Sequence, residues 1–492
     1  MVNVGLRLGI VAAYLVVALG VGLVAYRVTS RDAEDYYLAD RSLGTLVLLF
    51  TTFATLLSAF TFFGGPNLAF GAGPEWILVM GLMDGVLFAG LWYALGYKQW
   101  LLGQRHGYVT LGEMLGDRFG SRLLRGIVAA VSLFWLVPYV MLQQMGAGEA
   151  IVGLTGGAVP YWAGAALITL FMMLYVALAG LRGVAWTDTI QGVFMLGVTW
   201  VAVGWVLYAV GGAGAATAAV AESDPEFLAL GGGLYTPGWM LSTAITIAFG
   251  VTMFPQINQR FFVASDARVL KRSFALWPVL VLALFVPAFI LGTWAAGLGV
   301  SVPEGGNVLP ALLTTYTPGW FAAVVVAGAM AAMMSSSDSM LLSGASYVTR
   351  DLYRPAVETV AADREAWLGR LVVVGFAGLA FVLSLFRPGS LIQVGNTAFS
   401  GFAQLALPVG VALYWAGTNR WGMYAGVLGS QAFYVAHAFG PLPGGYAVPG
   451  AGLELTAGVW GMALGLTLTV TVSLATTAAA EEDATRFRTR AD

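Results

Sequence analysis

Within the apolar run 310–348, Ala332, Ser335, Ser336 and Ser339 fall at i, i+3, i+4 and i+7, which is one face of a helix. Such a face offers hydroxyl and backbone oxygens without a fixed charge, the donor set that suits a small hard cation. A lone serine in a membrane helix usually bonds back to the preceding turn, but Asp338 lies in the same stretch. A carboxylate there costs about 2.5–3.5 kcal/mol on the insertion scale and is expected to face a cavity or a partner. A second acid, Asp188, opens another apolar run in Trp186-Thr187-Asp188-Thr189. It reads equally as a carboxylate favoured by a helix N-terminus or as an ion ligand. Glu75 and Trp76 begin a further run, where interfacial anchors are common. Cysteine is absent and only His106 and His437 occur, so thiolate and His-based metal centres and Cys nucleophiles are excluded.

The elements that must position these residues are membrane helices. Of 492 residues 59% are hydrophobic and only 10% charged, against about a quarter charged in soluble domains. Apolar runs of about 20 residues match the bilayer core, and in hydrocarbon each must pair its own backbone as a helix. The short alternating segments of a membrane barrel are absent. A net charge of −2 with no basic block excludes a nucleic-acid partner. The first run, about 3–25, is too long and too poor in basic flanks for a signal peptide and reads as a retained helix.

The expected architecture is an all-α membrane protein of about 13 transmembrane helices in one integral domain, 1–477. The spans lie near 3–26, 43–71, 76–100, 123–153, 158–180, 188–211, 237–262, 274–299, 310–348, 367–386, 390–416, 421–438 and 455–477. The start of 310–348 exceeds one crossing and reads as a loop or short surface helix, and 478–492 as a disordered cytoplasmic tail. With the N-terminus outside and the C-terminus inside, all 23 Lys and Arg residues except Arg7 and Arg387 fall on the inner side. This is the excess that cytoplasmic loops carry.

Two of these spans break their own pattern. The second carries Ser58, Thr61 and then Gly64-Gly65-Pro66-Asn67, and the seventh carries Gly250 and Pro255 before Gln256, Asn258 and Gln259. If 43–211 and 237–416 are two five-helix repeats, the interrupted spans are equivalent first helices, the arrangement of inverted-repeat transporters. The helix 3–26 precedes these repeats, and two helices over 421–477 follow them.

At these residues the chain resembles the sodium/solute symporter family. The resemblance covers about 1–430 and rests on Asp35-Tyr36-Tyr37-Leu38-Ala39-Asp40-Arg41-Ser42-Leu43-Gly44, Trp186–Gln191, Gln259-Arg260-Phe261, Met334–Asp351 and Pro408–Trp415. It implies a LeuT-type five-plus-five inverted repeat with sodium as the coupling ion. Carried over by position, the main sodium site takes the backbone oxygens of Ala54, Leu57 and Ala332 and the hydroxyls of Ser335 and Ser336. A second site found in some members matches Asp188, Ser335, Asp338 and Ser339, with Asp338 standing where better-described members have a hydroxyl. Solute contacts match Ser58, Thr61, Glu75, Tyr139, Gln143 and Gln259, with Tyr139 as an aromatic gate. Leu56 replaces the acid of proline-type members, and no Arg occupies the middle of the fourth span, so proline and sialic acid are not supported.

The expected function is sodium-coupled import of a small polar or organic solute by alternating access, in the cell inner membrane and without a required oligomer. A proton-coupled carrier of the same fold, titrating Asp338 or Asp188, is the alternative. A sensor or channel is a further one, and a membrane enzyme is opposed by the missing Cys, His pair and HExxH motif.

Overall fold

The computed structural model describes residues 4–28, 43–357, 362–476 and Phe487. The Asp35–Ser42 part of the family motif, the side chain of Trp186 and, apart from Phe487, the expected tail 478–492 lie outside the described residues. Among those described, nine helices are long and apolar enough to cross a membrane, or up to eleven if each of two bent pairs is one span.

The bent pairs are the two spans whose composition broke the pattern. Thr45–Leu56 and Phe60–Ala72 meet at 57°, and Pro237–Thr252 and Pro255–Val263 at 54°. In the second pair Phe254 is extended (ψ 132) ahead of Pro255, which opens the next half at its first turn. Proline disfavours helical backbone in the residue before it and is tolerated at a helix start. In the first pair the break lies earlier than the Gly64-Gly65-Pro66 run suggests. Leu57 leaves the helix at ψ 118, whereas Phe60–Gly64 forms a wide π turn and Gly65–Ala72 remains helical with Pro66 in its first turn. The Gly-Gly-Pro run therefore lies within the second half, Phe60–Ala72, rather than interrupting the span.

Helical backbone extends from Tyr161 to Val210, where the sequence suggested two spans. A straight helix would set residues 175 and 187 about 18 Å apart. The Tyr175 and Thr187 hydroxyls nevertheless share a 2.6 Å hydrogen bond. The chain must double back between them, which leaves Thr187–Val210 as a candidate span on one side and Tyr161–Val176 as a shorter apolar helix on the other.

Contacts between connecting segments sort into two ends. At one end the Glu75 carboxylate accepts from Gly231 N–H (3.1 Å), Arg7 donates to Leu154 O (2.7 Å) and Arg387 lies over the Tyr161 ring (4.8 Å). At the other, Arg125 pairs with Glu113 (3.1 Å) and Asp351 (2.8 Å), Arg118 donates to Trp415 O (3.2 Å), and Lys98 lies over the Tyr414 ring (3.9 Å). Arg7 and Arg387, the two residues expected apart from the remaining basic ones, share the first end. Arg260 is a correction to that charge map: it is not in a loop but 1% exposed within Pro255–Val263.

Two further details differ from the expectation. Val308–Tyr316 is the short helix expected before the serine-rich span, but Val308 through Leu313 are buried, so it is no surface helix. An antiparallel hairpin, Gly445–Val448 with Leu453–Thr456, interrupts the otherwise helical fold. Its connection holds Gly450 (φ 76) and Gly452 (φ 61), left-handed positions that favour glycine.

The chain has no cysteine of its own, so single-cysteine labelling reads sidedness directly. Ala158→Cys and Ser223→Cys are expected to react from the same side of the membrane, whereas labelling from opposite faces would show that Tyr161–Val210 crosses once. A Cβ on Gly250 would lie 2.1 Å from Phe399 O, while Gly197 has nothing within 4 Å. Gly250→Ala should therefore destabilise the protein by about 1–3 kcal/mol, seen as a lowered Tm that Gly197→Ala does not reproduce.

Candidate cation and solute site

A helix that stops inside a membrane leaves its last carbonyls without intrahelical donors and presents the negative end of its dipole. Thr45–Leu56 stops in this way at Leu57, opposite the serine face of Gly319–Ser346. Ser335 Oγ donates to Ala54 O (2.5 Å) and Ala332 O (3.1 Å). Ser336 Oγ donates to Thr55 O (2.8 Å) and Leu57 O (2.6 Å). The five oxygens expected to hold sodium are thus gathered at one place, and their residues are fully buried. Each hydroxyl has one proton, so the three carbonyls at the break share two donors. The cluster is rich in lone pairs and holds no carboxylate. Rotating the two protons away would turn the same oxygens toward a small cation, which takes oxygen ligands of this kind.

The candidate solute residues lie immediately beyond the break. Ser58 Oγ and Tyr139 OH are 3.1 Å apart. Gln143 Oε1 accepts from Ala59 N–H (2.9 Å), while its amide donates to Tyr139 O (3.0 Å). Gln143 thereby satisfies a backbone donor that the interrupted helix leaves free. Thr61 is buried on the same wide turn. Ring centroids of Tyr139 lie 4.9 Å from Phe254 and 5.1 Å from Phe399, and Phe60 lies 5.0 Å from Phe399. These rings connect Ser58, at the first break, with Phe254, at the second.

Glu75 and Gln259 do not join this group. Glu75 accepts from Gly231 in a connecting segment, and Gln259 donates to Ser346 Oγ (3.0 Å) toward the other end of the bundle. The expected second cation set is also divided. Ser335 is engaged with Ala54, and Asp338 Oδ1 has no hydrogen-bond partner. Asp188 and Ser339 are brought together, but around a side chain not expected there. Arg260 Nη2 donates to Ser339 Oγ (2.5 Å) and lies 3.3 Å from Asp188 Oδ2. Thr51 Oγ1 donates to the same carboxylate oxygen at 2.6 Å and Thr55 Oγ1 at 3.4 Å.

Arg260, Thr51, Thr55, Phe254 and Phe399 are therefore site residues that the sequence reading did not assign. Phe254 had a usable signal, since it immediately precedes the proline of a broken span. Thr51 and Thr55 lie one turn apart on the helix that ends at the break. Phe399 carries no comparable mark.

The comparisons with known proteins agree with this architecture. The chain is 28% identical over 434 residues to the sodium/pantothenate symporter of Escherichia coli K12, covering 87% of this chain and 89% of the relative. It is 26% identical to the high-affinity proline transporter PutP of Bacillus subtilis 168, covering 85% and 89%. In structure it resembles a Na+-coupled sialic acid symporter in a substrate-bound outward-open state, with a TM-score of 0.79, 18% identity and coverage of 97% and 99%. A nucleobase-cation-symport-1 family transporter matches with a TM-score of 0.57 at 16% identity, covering 92% and 98%. These likenesses show the LeuT-type fold expected from the sequence. The family model described as "Sodium:solute symporter family" matches residues 36–429, and the chain belongs to that family.

Proposed function

We propose that the chain couples the import of a small polar solute to sodium bound between the first broken helix and the serine-rich helix. The observation that carries this reading is the sharing of two serine hydroxyl protons among the carbonyls of Ala54, Thr55 and Leu57. Sodium at those oxygens holds the half-helices and the serine helix in one arrangement. Solute binds beside it through Ser58, Thr61, Tyr139 and Gln143, and Tyr139 with Phe254 and Phe399 closes over it. None of these solute positions carries a charge, so recognition rests on hydrogen bonds and ring faces. The end rich in Lys and Arg is assigned to the cytoplasm by the bias of inner loops. Residues 43–211 and 237–416 are the two inverted repeats. Sodium leaving toward a low-sodium cytoplasm supplies the driving force, about 2.3 kcal/mol per ion for each 100 mV.

Ion and solute then act on one equilibrium, because each favours the closed arrangement of the same break, and the coupling is reciprocal. Pantothenate and proline are the first solutes to assay, being those named for the relatives. Leu56 makes proline the weaker expectation.

Removing one sodium oxygen costs about one hydrogen bond's worth of free energy, close to a tenfold loss. Ser336→Ala is thus expected to raise the half-saturating sodium concentration about tenfold, read from the intrinsic fluorescence of the 16 tryptophans during NaCl titration against KCl. An unchanged titration would remove Ser336 from the site. A thermal-shift screen in sodium identifies the solute. Gln143→Ala is then expected to weaken that solute about tenfold or more in the same assay. Equal affinity in wild type and variant would place recognition elsewhere.

A further inference from the structure

Between Tyr97–His106 and Arg122–Thr155 the chain forms a short helix, Leu111–Arg118, at the end of the bundle assigned to the cytoplasm. That helix joins the inner ends of two long ones. Thr110 Oγ1 donates to Asp351 Oδ1 (3.0 Å) and Leu111 N–H to Tyr347 OH (3.3 Å). Both acceptors lie on Tyr347–Tyr353, the wide turn that ends the serine-rich helix. Glu113 accepts from Arg125 (3.1 Å), in the first turn of Arg122–Thr155, the helix that carries Tyr139. Phe487 lies against both flanks of this short helix and is 3% exposed. Its ring stacks on His106 (centroids 5.4 Å apart, planes 16°) and Tyr108 (6.4 Å, 9°), which precede the helix. The guanidinium of Arg118, in the helix's last turn, lies 5.6 Å from the centre of the same ring.

We propose that the cleft formed by His106, Tyr108 and Arg118 is a docking site for the chain's own Phe487, and that the docked ring latches the inner side shut. The inference rests on the alternating-access reading and adds its regulation. Two ring faces and a guanidinium recognise an aromatic side chain by stacking and by attraction of the cation to the ring face. By touching residues on both sides of Leu111–Arg118, Phe487 holds that helix where it meets Asp351, Tyr347 and Arg125. Inward opening parts the inner end of the serine-rich helix from that of Arg122–Thr155, so the short helix between them has to shift. The docked ring opposes that shift, and its release favours it. Phe487 belongs to no helix, so undocking exposes one ring without unwinding any element. Docked and free states of this kind lie close enough in energy for one contact to bias their populations.

The test reads inner access on the full chain in inside-out vesicles, with a membrane-impermeant maleimide applied from the cytoplasmic face. Ser132→Cys is the reporter in every variant, since the chain has no cysteine of its own. Ser132 is buried on Arg122–Thr155, two turns inward of Tyr139. In NaCl the reporter is expected to react slowly, and Phe487→Ala to speed it about fivefold or more. Phe487→Tyr, which keeps the ring, should match the slow rate, and His106→Ala, which removes one face of the cleft, should reproduce the fast one. Because ion and latch favour the same arrangement, more sodium should slow the Phe487→Ala reporter again. An unchanged rate in Phe487→Ala would overturn the latch, and so would a fast rate that sodium no longer lowers, which marks local unfolding. A slow rate in His106→Ala would overturn it equally, even if Phe487→Ala does not fold. A reporter that reacts alike in NaCl and KCl without any change at 487 would instead overturn the sodium-held arrangement on which the inference stands.

Discussion

The hydroxyls of Ser335 and Ser336 meet the carbonyls of Ala54, Thr55 and Leu57 where a helix has been broken in the middle of a membrane. A bilayer core supplies no water for a freed carbonyl, and each one left unpaired costs several kcal/mol. Non-helical backbone at that depth persists only when protein or a cavity compensates it. The serine face compensates in part, with two protons for three acceptors. The shortfall has a definite sign, because lone pairs without donors attract positive charge. A cation at the break is therefore a physical complement to this backbone and does not depend on any acidic residue.

In the proposed function, the same break links the solute to the ion. Leu57 gives its carbonyl to Ser336, and the adjacent Ser58 and Ala59 give their hydroxyl and amide to Tyr139 and Gln143. Ion side and solute side are consecutive residues of one extended turn, so a shift in Leu57 reorients both groups next to it. Such adjacency is a contiguous physical connection between two sites. The rings of Tyr139, Phe254 and Phe399 extend it to the second broken helix, since Phe254 is the residue at that helix's own break. Each interruption thus contributes a different part: the first supplies oxygens and amides, the second an aromatic cover.

The parts of this site that were legible in the sequence are those encoded by local spacing. Ala332, Ser335 and Ser336 share a face because helical periodicity fixes it, and Pro255 marks a break because proline acts on its own neighbours. The misplaced parts depended on distant partners. Arg260 counts as a loop residue in any charge map, because an isolated guanidinium is expensive in a membrane. It is buried only because Asp188, 72 residues away, lies beside it. Glu75 and Gln259 had the right chemical type, yet their partners, Gly231 and Ser346, hold them away from Tyr139. The position of the first break was misread toward Gly64-Gly65-Pro66 because composition shows where a helix can yield. Where it does yield is decided by packing across the bundle.

The serine cluster and the Arg260–Asp188 pair divide neutral and charged groups between them. The serine site holds only neutral oxygens, so an ion there is bound by dipoles and released without abandoning a buried carboxylate. A coupling ion must bind well enough to enter and weakly enough to leave, and a neutral cage serves that requirement. Asp188 is instead paired with Arg260, a cation that cannot diffuse away. The charged pair thereby fixes Thr45–Leu56 and Pro255–Val263 to their surroundings, and the neutral oxygens are left for the ion that, in the proposed function, has to move. Asp338 stands three residues beyond Ser335 with an unpaired Oδ1. It places one uncompensated acceptor on the serine helix itself.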